Sequence, residues 1–158
     1  MIRVGQGYDI HRLVRNRRFL LAGVEIPAKR GELGHSDGDV LAHAVCDAIL
    51  GAAGLGDIGE MFPPSDPAYK DADSMVLLHT AFQRVKAAGW KVCNLDCIVL
   101  CEQPHVLPFR NKIRAALAKV LETEAEAVFV KGKTTEGLGQ IGKGRAVEAM
   151  AVCLLCKS

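Results

Sequence analysis

Apolar positions alternate with polar ones at the start of the chain, which is the pattern of a half-buried strand. Residues 2–9 and about 18–26 therefore predict two strands, with the basic, turn-like segment RLVRNRR between them. Three later runs predict further strands, and the first of them is rich in β-branched residues and cysteine. These runs are KVCNLDCIVLC, AVFVKGKTTE and RAVEAMAVCLLC.

Three other segments carry apolar residues at helical spacing. The first predicted helix runs from about Asp39 to Ala53, with Ser36 and Asp37 as candidates for its N-terminal cap. The second lies in DADSMVLLHTAFQRVKAAGW and ends at Gly89, because glycine favours the helix terminus. The third lies in FRNKIRAALAKVLETE.

The resulting order of elements is ββ-αα-β-α-ββ, in which strands and helices do not alternate strictly. This order predicts an α+β fold, a single two-layer domain over residues 1–158 with a mixed β-sheet and helices packed on one face. A chain of 158 residues has room for one core of ordinary size.

The composition indicates a globular protein, with 49% apolar and 24% charged residues. A net charge of +2 gives no electrostatic argument for a nucleic-acid or membrane partner, and we take RLVRNRR as a solvated connector. No apolar run has the length of a transmembrane helix, and MIRVGQGYD lacks the pattern of a signal peptide. We therefore expect a cytoplasmic protein.

Six cysteines fit that expectation. Cys93, Cys97 and Cys101 are spaced by four in one predicted strand, so they should share a face. Cys153 and Cys156 form a CxxC, but in a strand this spacing puts them on opposite faces. We interpret the cysteines as small buried side chains rather than zinc or redox sites, and the expected compartment argues against disulfides.

One group of residues suggests a metal site. Asp9 and His11 are two apart in a predicted strand and project from the same side of it. His43 lies in the first predicted helix, on one face with Asp39 and Asp47. Asp9, His11 and His43 could ligate zinc with a fourth position left open, as catalytic zinc sites do, while Asp39 or Asp47 orients an imidazole. Asp-x-His pairs are also common by chance.

Two further segments could contact phosphates or sugar hydroxyls. GHSDGD, at 34–39, places His35 and Ser36 just ahead of a helix N-terminus, where free amides and the helix dipole favour a phosphate. GDIGEMFPPSDP, at 56–67, reads as a loop that can present carboxylates and amides to hydroxyl groups. An ordinary cap and turn are the alternative interpretations.

The segment KGKTTEGLG, at 131–139, ends a predicted strand with polar side chains. Thr134 and Thr135 can donate to phosphate oxygens, and Glu136 can hold a hard cation such as Mg²⁺. The GxGxxG at 137–142 does not indicate a dinucleotide fold, because a strand rather than a helix follows it and too few residues remain for the acidic partner.

Taken together, GYDIHRL, GHSDGDVLAHAVCDAILGAAGLGDIG, FPPSDPAYKDADS and KTTEGLG resemble the 2-C-methyl-D-erythritol 2,4-cyclodiphosphate synthase family, and the resemblance runs from about residue 2 to the C-terminus. It implies a metal-dependent lyase of non-mevalonate isoprenoid biosynthesis that cyclises 4-diphosphocytidyl-2-C-methyl-D-erythritol 2-phosphate and releases CMP. It also implies a homotrimer with active sites between subunits and a central cavity for an isoprenoid diphosphate.

The resemblance assigns roles to individual residues. It implies Zn²⁺, or another divalent transition metal, at Asp9, His11 and His43, and Mg²⁺ or Mn²⁺ at Glu136. It implies His35 and Thr134 as the catalytic residues that stabilise the transition state. The implied substrate-binding residues are Asp9, His11, His35, Ser36, Asp57, Ile58, Gly59, Phe62, Pro63, Pro64, Ser65, Asp66, Cys101, Glu102, Gln103, Pro104, His105, Val106, Leu107, Lys133, Thr134, Thr135, Glu136, Gln140 and Lys143.

The chain departs from the family pattern at several of these positions. Pro64 stands where some members have Asp, His105 where some have Lys, and Lys133 replaces a Thr. Lys143 stands where an Arg, together with an aromatic matching Tyr8, is associated with the central cavity. Lysine keeps the charge but not the bidentate geometry of arginine.

Two other function classes use the same residues. A metal-dependent phosphohydrolase would have the same ligands and water as its nucleophile. A non-catalytic trimeric binding module would hold the metal for structural reasons, although structural zinc usually has four protein ligands.

Overall fold

The computed structural model describes residues 1–157, so that Ser158 of the expected domain lies outside the described residues. Seven strands form: β1 (Ile2–Val14), β2 (Phe19–Leu21), β3 (Val24–Ile26), β4 (Gly31–Leu33), β5 (Lys91–Leu100), β6 (Val128–Lys133) and β7 (Ala146–Cys156). The α-helices are α1 (Val40–Ala53), α2 (Ile58–Met61), α3 (Ser74–Ala87), α4 (Arg110–Val120) and α5 (Gly139–Gly142). Single 3₁₀ turns occur at Pro67–Tyr69, Leu107–Phe109 and Ala125–Ala127.

The predicted α+β fold is confirmed. The main sheet has five strands in the order β4-β1-β7-β5-β6, and it is mixed because β5 and β6 are parallel while the other pairs are antiparallel. β2 and β3 form a separate hairpin. Every second residue of β7, from Val147 to Leu155, is buried against the helices, as alternation in a half-covered sheet requires.

Three predicted boundaries were wrong. β1 does not end at residue 9 but continues to Val14, because it pairs with β7 as far as Arg12 and then with β4. The predicted strand at 18–26 is a tight hairpin, with Ala22 and Gly23 at positive φ in the turn. α1 is capped by Asp39, whose side chain accepts from the Ala42 N–H, and not by Ser36 or Asp37.

Two glycines allow α1 to lie directly on β1. A Cβ at Gly7 would lie 1.8 Å from the Ala44 carbonyl oxygen, and one at Gly5 would lie 2.0 Å from the Ala48 carbonyl oxygen. Glycine is therefore the residue that permits this close approach. Because Asp9 and His11 follow on the same face of β1, the approach also brings them beneath the N-terminal half of α1.

The cysteine predictions were partly wrong. Cys93 does not share a face with Cys97, because the ladder between β5 and β7 shifts register between Val92 and Asn94. Cys93 instead forms a disulfide with Cys156, against the expectation of free thiols. Cys46, Cys97, Cys101 and Cys153 are free and buried. As predicted, Cys153 faces the core while its neighbour in the CxxC is only partly buried.

Residues 1–157 leave the face of the sheet opposite the helices uncovered. Several large apolar side chains are exposed there, at alternate positions of β1 and on β6 and β7. They are Ile2, Val4, Tyr8, Ile10, Phe129 and Val152. Within residues 1–157, no helix combines the length and the apolar character needed to cross a membrane.

Candidate metal centre and adjoining cavities

Asp9, His11 and His43 converge, although they come from two elements. One potential ligand atom of each lies within 4.8 Å of those of the others, and no other such group of three His, Cys, Asp or Glu residues occurs among residues 1–157. The Asp9 Oδ2 atom lies 3.1 Å from Nε2 of His11 and 3.0 Å from Nδ1 of His43. The two imidazole rings meet edge to face.

The environment of Asp9 keeps it ionised. Burial alone would raise its pKa, but hydrogen bonds and favourable charge interactions with His11 and His43 lower the pKa of Asp9 far below its usual range. For His11, burial lowers the pKa, and the hydrogen bond and charge of Asp9 outweigh that effect and raise it. The site therefore places an ionised carboxylate beside two imidazoles.

A backbone contact determines which nitrogen of His11 faces the centre. Nδ1 of His11 lies 2.5 Å from the carbonyl oxygen of Gly38. A carbonyl only accepts, so Nδ1 carries the proton and Nε2 directs its lone pair towards Asp9 when the ring is neutral. Metal-ligating histidines commonly donate their second N–H to a carbonyl or carboxylate in this way. The donor set of one carboxylate and two imidazoles fits a divalent transition metal.

Neither carboxylate predicted to orient His43 does so. Asp39 is fully buried and accepts from the backbone N–H groups of Ala42, Ala22 and Gly23. Asp47 accepts from the N–H of Ile58 at 2.8 Å and so anchors the start of α2. The spacing of four along α1 did not predict these hydrogen-bond partners.

Two serine contacts of His43 were not predicted from the sequence. Nε2 of His43 lies 2.8 Å from Oγ of Ser74 and 3.0 Å from Oγ of Ser36. Ser74 also donates to a carboxylate oxygen of Asp37. Ser74 is 31 residues from His43 in the chain and reaches it because α3 packs on α1. No local pattern indicated this contact.

A cavity of about 260 Å³ opens over the three converging residues. It includes several of the residues predicted to contact phosphate or methylerythritol, namely His35, Ser36, Ile58, Gly59, Phe62 and Pro64, together with Tyr69 and Leu77. His35 is exposed at this cavity, whereas Ser36 is buried beneath it. Asp57 and Asp66 instead cap short helical turns, where they accept from the N–H groups of Glu60 and Ala68.

Five of the predicted substrate-binding residues between Cys101 and Leu107 line a different cavity. This second cavity, of about 380 Å³, has no lining residue in common with the first. It is formed by Cys101, Pro104, His105, Val106, Leu107, Pro108, Arg110, Gly132, Lys133 and Thr134. Arg110 was not predicted, and its guanidinium lies over the ring of Phe129. Within one copy of the chain, some of the predicted substrate-binding residues thus line one cavity and others line a second.

The remaining predicted residues lie outside these two cavities. Glu102 accepts from the N–H and the hydroxyl of Thr135, which holds the loop after β6 against the loop after β5. Glu136 is exposed and has a positive φ of 52°. Gln140 lines a separate cavity with Arg145, Lys143 is exposed, and Gln103 lines a cavity with Lys29 and Arg30. Pro63 and Ser65 lie in the loop that follows α2.

Comparisons with known proteins give one consistent answer. The chain matches the YgbB family over residues 2–156. It is 55% identical over 154 residues to 2-C-methyl-D-erythritol 2,4-cyclodiphosphate synthase of Treponema denticola, covering 98% of this chain and 96% of that protein.

Two solved structures are also similar. The bifunctional IspDF of Campylobacter jejuni is 42% identical with a TM-score of 0.94, and the match covers 98% of this chain and 42% of that longer one. The IspF of Plasmodium falciparum in complex with CDP is 36% identical with a TM-score of 0.87, covering 99% and 97% of the two chains.

Proposed function

Because the chain belongs to the YgbB family, we propose that it catalyses the reaction for which its relatives are named. It converts 4-diphosphocytidyl-2-C-methyl-D-erythritol 2-phosphate into 2-C-methyl-D-erythritol 2,4-cyclodiphosphate and CMP, a step of non-mevalonate isoprenoid biosynthesis. The observation that carries this proposal is the convergence of Asp9, His11 and His43 in a cavity that also contains His35 and Ser36.

The substrate brings its own nucleophile. An oxygen of its 2-phosphate, already anionic near neutral pH, attacks the β-phosphorus. The bond from that phosphorus to the oxygen bridging the α-phosphate breaks, and CMP leaves with the electron pair. The protein does not need an activated serine or cysteine, and its task is to align two anionic groups and to neutralise their charge.

The first cavity supplies the positioning groups for the phosphates. The exposed imidazole of His35 and the hydroxyl of Ser36 can donate to phosphoryl oxygens beside the three converging residues. A zinc ion, or another divalent transition metal, held by Asp9, His11 and His43 would supply Lewis acidity towards the β-phosphate. Glu136 would hold Mg²⁺ or Mn²⁺, which would neutralise charge on the diphosphate.

The second cavity is proposed to hold the nucleotide end. Thr134, at its rim, would stabilise charge on the phosphoryl oxygens as CMP leaves. The loop from Cys101 to Leu107 would enclose the cytosine, and a CDP complex of a relative supports a nucleotide of this class.

We propose that the active protein is a homotrimer whose sites lie between adjacent copies. Two features support this assembly. Predicted substrate-binding residues line two separate cavities within one copy, and the uncovered sheet face presents exposed apolar residues such as Ile2, Val4 and Val152. We further propose one domain over residues 1–158, a cytoplasmic location, and an isoprenoid diphosphate as a ligand of the trimer's central cavity near Lys143.

The direct test is incubation with the cytidylylated substrate, Zn²⁺ and Mg²⁺, followed by ³¹P NMR. We expect CMP and a cyclic diphosphate to form in equal amounts. A linear phosphate product would identify a phosphohydrolase, and the absence of any turnover with metal bound would identify a binding module. His43→Ala should abolish turnover and lower the zinc content while the trimer persists.

A mixing experiment tests the shared site. His43→Ala inactivates the first cavity and Thr134→Ala the second, so each variant alone should be inactive. If sites form between copies, refolding the two variants together in equal amounts gives roughly a quarter of the sites an intact half from each copy. Activity that does not return on mixing would mean that each site lies within one copy.

A further inference from the structure

His43 is contacted on both sides of its ring, and the two contacts differ in kind. Nδ1 faces Oδ2 of Asp9 at 3.0 Å, in the cavity. Nε2, at the other edge of the ring, lies 2.8 Å from Oγ of Ser74 and 3.0 Å from Oγ of Ser36. Ser74 is almost completely buried, and it links His43 to Asp37 on the far side.

The direction of the hydrogen bonds follows from the chemistry of Asp37. A carboxylate only accepts, so the hydroxyl proton of Ser74 is directed to Asp37. The Ser74 oxygen then has only its lone pairs left for His43, so the 2.8 Å contact between them is a hydrogen bond only when Nε2 is the donor. Asp37 is itself held in place, because its second carboxylate oxygen accepts from the Ser74 N–H at 3.1 Å.

This direction has a consequence at the other side of the ring. A neutral histidine carries one proton, so a proton on Nε2 leaves Nδ1 with a lone pair. That lone pair faces the Asp9 carboxylate. The lone pair on Nε2 of His11 faces it too, because the proton of His11 is on Nδ1 and is directed to Gly38. When both rings are neutral, two lone pairs and a carboxylate about 3 Å apart form a site that attracts a cation, either a metal ion or a proton.

We propose that Ser74 and Asp37 are positioning residues for the metal centre. They hold His43 in the tautomer and orientation in which Nδ1 is a ligand, and they do so without contacting the metal or the substrate. The proposal rests on the proposed metal site, but it does not depend on which reaction that site catalyses.

The geometry also defines the alternative hydrogen-bond arrangement that Ser74 and Asp37 prevent. With the proton on Nδ1, His43 would donate to Asp9, and Nε2 would accept from Ser36 at 3.0 Å. That order is a serine–histidine–aspartate array, in which Nδ1 cannot bind a metal. Ser74 and Asp37 therefore determine which of two arrangements the same side chains adopt.

The first test measures zinc affinity by competition with a chromophoric chelator. We expect Ser74→Ala and Asp37→Ala each to weaken zinc binding by about 10- to 100-fold, since lost partners of metal-ligating histidines typically have effects of this size. The matched control is Asp73→Ala. Asp73 caps the same end of α3 through the N–H of Met75, and no hydrogen bond links it to His43. It should bind zinc as the parent chain does.

The second test reads the tautomer directly in the metal-free protein. Long-range ¹H–¹⁵N spectra of the imidazoles, recorded where His43 is neutral and assigned by its loss in His43→Ala, should show the proton on Nε2 in the parent chain and in Asp73→Ala. Ser74→Ala and Asp37→Ala should show a mixture of tautomers. Circular dichroism establishes that each variant is folded.

The outcomes separate this inference from the proposed function. A proton on Nδ1 in the parent chain, or unchanged zinc affinity in both Ser74→Ala and Asp37→Ala, would overturn the positioning role. Equal weakening in Asp73→Ala would also overturn it, because fraying of α3 would then be the cause. If zinc binding and the His43 tautomer are as expected but the protein makes no cyclic diphosphate, the positioning role of Ser74 and Asp37 stands and the proposed reaction is overturned.

Discussion

Two sets of carboxyl groups lie near the first turn of α1, and the protein treats them in opposite ways. Asp9 is partly exposed in a cavity beside two imidazoles, which lower its pKa. Glu32 and Asp39 are completely buried and are surrounded by backbone N–H groups. Burial raises the pKa of Glu32 to about 9 and that of Asp39 to about 6.

The difference lies in the partners rather than in the residue type. An imidazole can become a cation or hold one, so it favours the ionised carboxylate. Backbone amides stabilise a carboxylate less than burial destabilises its charge, and the two buried groups also repel each other. Asp9 is therefore suited to a metal, whereas Glu32 and Asp39 tie the β2–β3 hairpin to the start of α1.

The largest expected effect comes from making Asp9 uncharged. Asp9→Asn should lower turnover by about 10³-fold, since it removes the only negatively charged ligand of the proposed metal site. Bound metal, measured by plasma mass spectrometry, should be lost in parallel, and the fold should remain. Normal metal content with normal CMP release would contradict the assignment of Asp9 as a metal ligand. The proposed difference in role between Asp9 and the buried pair, Glu32 and Asp39, would then be wrong.

Asp39→Ala should mainly affect stability. The change removes the acceptor of three N–H groups, at 3.0 Å from Ala22, 2.6 Å from Gly23 and 3.0 Å from Ala42. We expect the free energy of unfolding to fall by about 3 kcal/mol, because buried donors are left without a partner. Urea unfolding measures this.

Asp73→Ala is the comparison for that result, because it removes an exposed cap with a single hydrogen bond to Met75. It should lower the free energy of unfolding by about 1 kcal/mol. Equal losses in the two variants would show that burial adds nothing to the role of Asp39.

The sequence was sufficient where the relevant geometry is local. Asp9 and His11 share a face because a strand repeats every two residues, and that holds in the structure. The predicted α+β fold also followed from patterns within single elements. The hydrogen bonds of Asp39 could not be predicted in the same way, since its carboxylate accepts from the N–H of Ala22, in a hairpin turn 17 residues earlier in the chain.

The same limit applies to Ser74 and to Cys93. Ser74 meets His43 through the packing of one helix on another, and an isolated serine in a sequence carries no sign of that contact. Cys93 departs from the predicted face because of one register shift in β5, which alternation alone does not show. Contacts between distant segments thus determine the hydrogen-bond partners within the site. The repeat of the strand or helix determines which residues face the site, and that repeat can be read from the sequence.

The buried pair predicts an unusual dependence of stability on pH. With its pKa raised to about 9, Glu32 keeps a proton in the folded state that the unfolded chain loses near its ordinary value of 4.5. Protonation therefore favours folding, and the free energy of unfolding should fall as pH rises from about 5 to 9, by up to about 1.4 kcal/mol per pH unit. Glu32→Gln should flatten this slope in urea titrations at several pH values, and an unchanged slope would exclude Glu32 as its source.

The smallest effect should appear at acid pH in the metal-free protein, and it has the opposite sign. The pKa of Asp9 is lowered by His11 and His43, so its contribution to stability is complete above its ordinary pKa of 3.8 and is lost as pH falls further. Chelated protein should therefore lose stability below about pH 4 more steeply than chelated Asp9→Asn. Because Asp9 is partly exposed, solvent screens the interaction, and the difference should be smaller than the Glu32 effect. Identical acid unfolding curves would mean that the imidazoles do not stabilise the Asp9 charge without metal, and that the two sets of carboxyl groups differ only when the metal is bound.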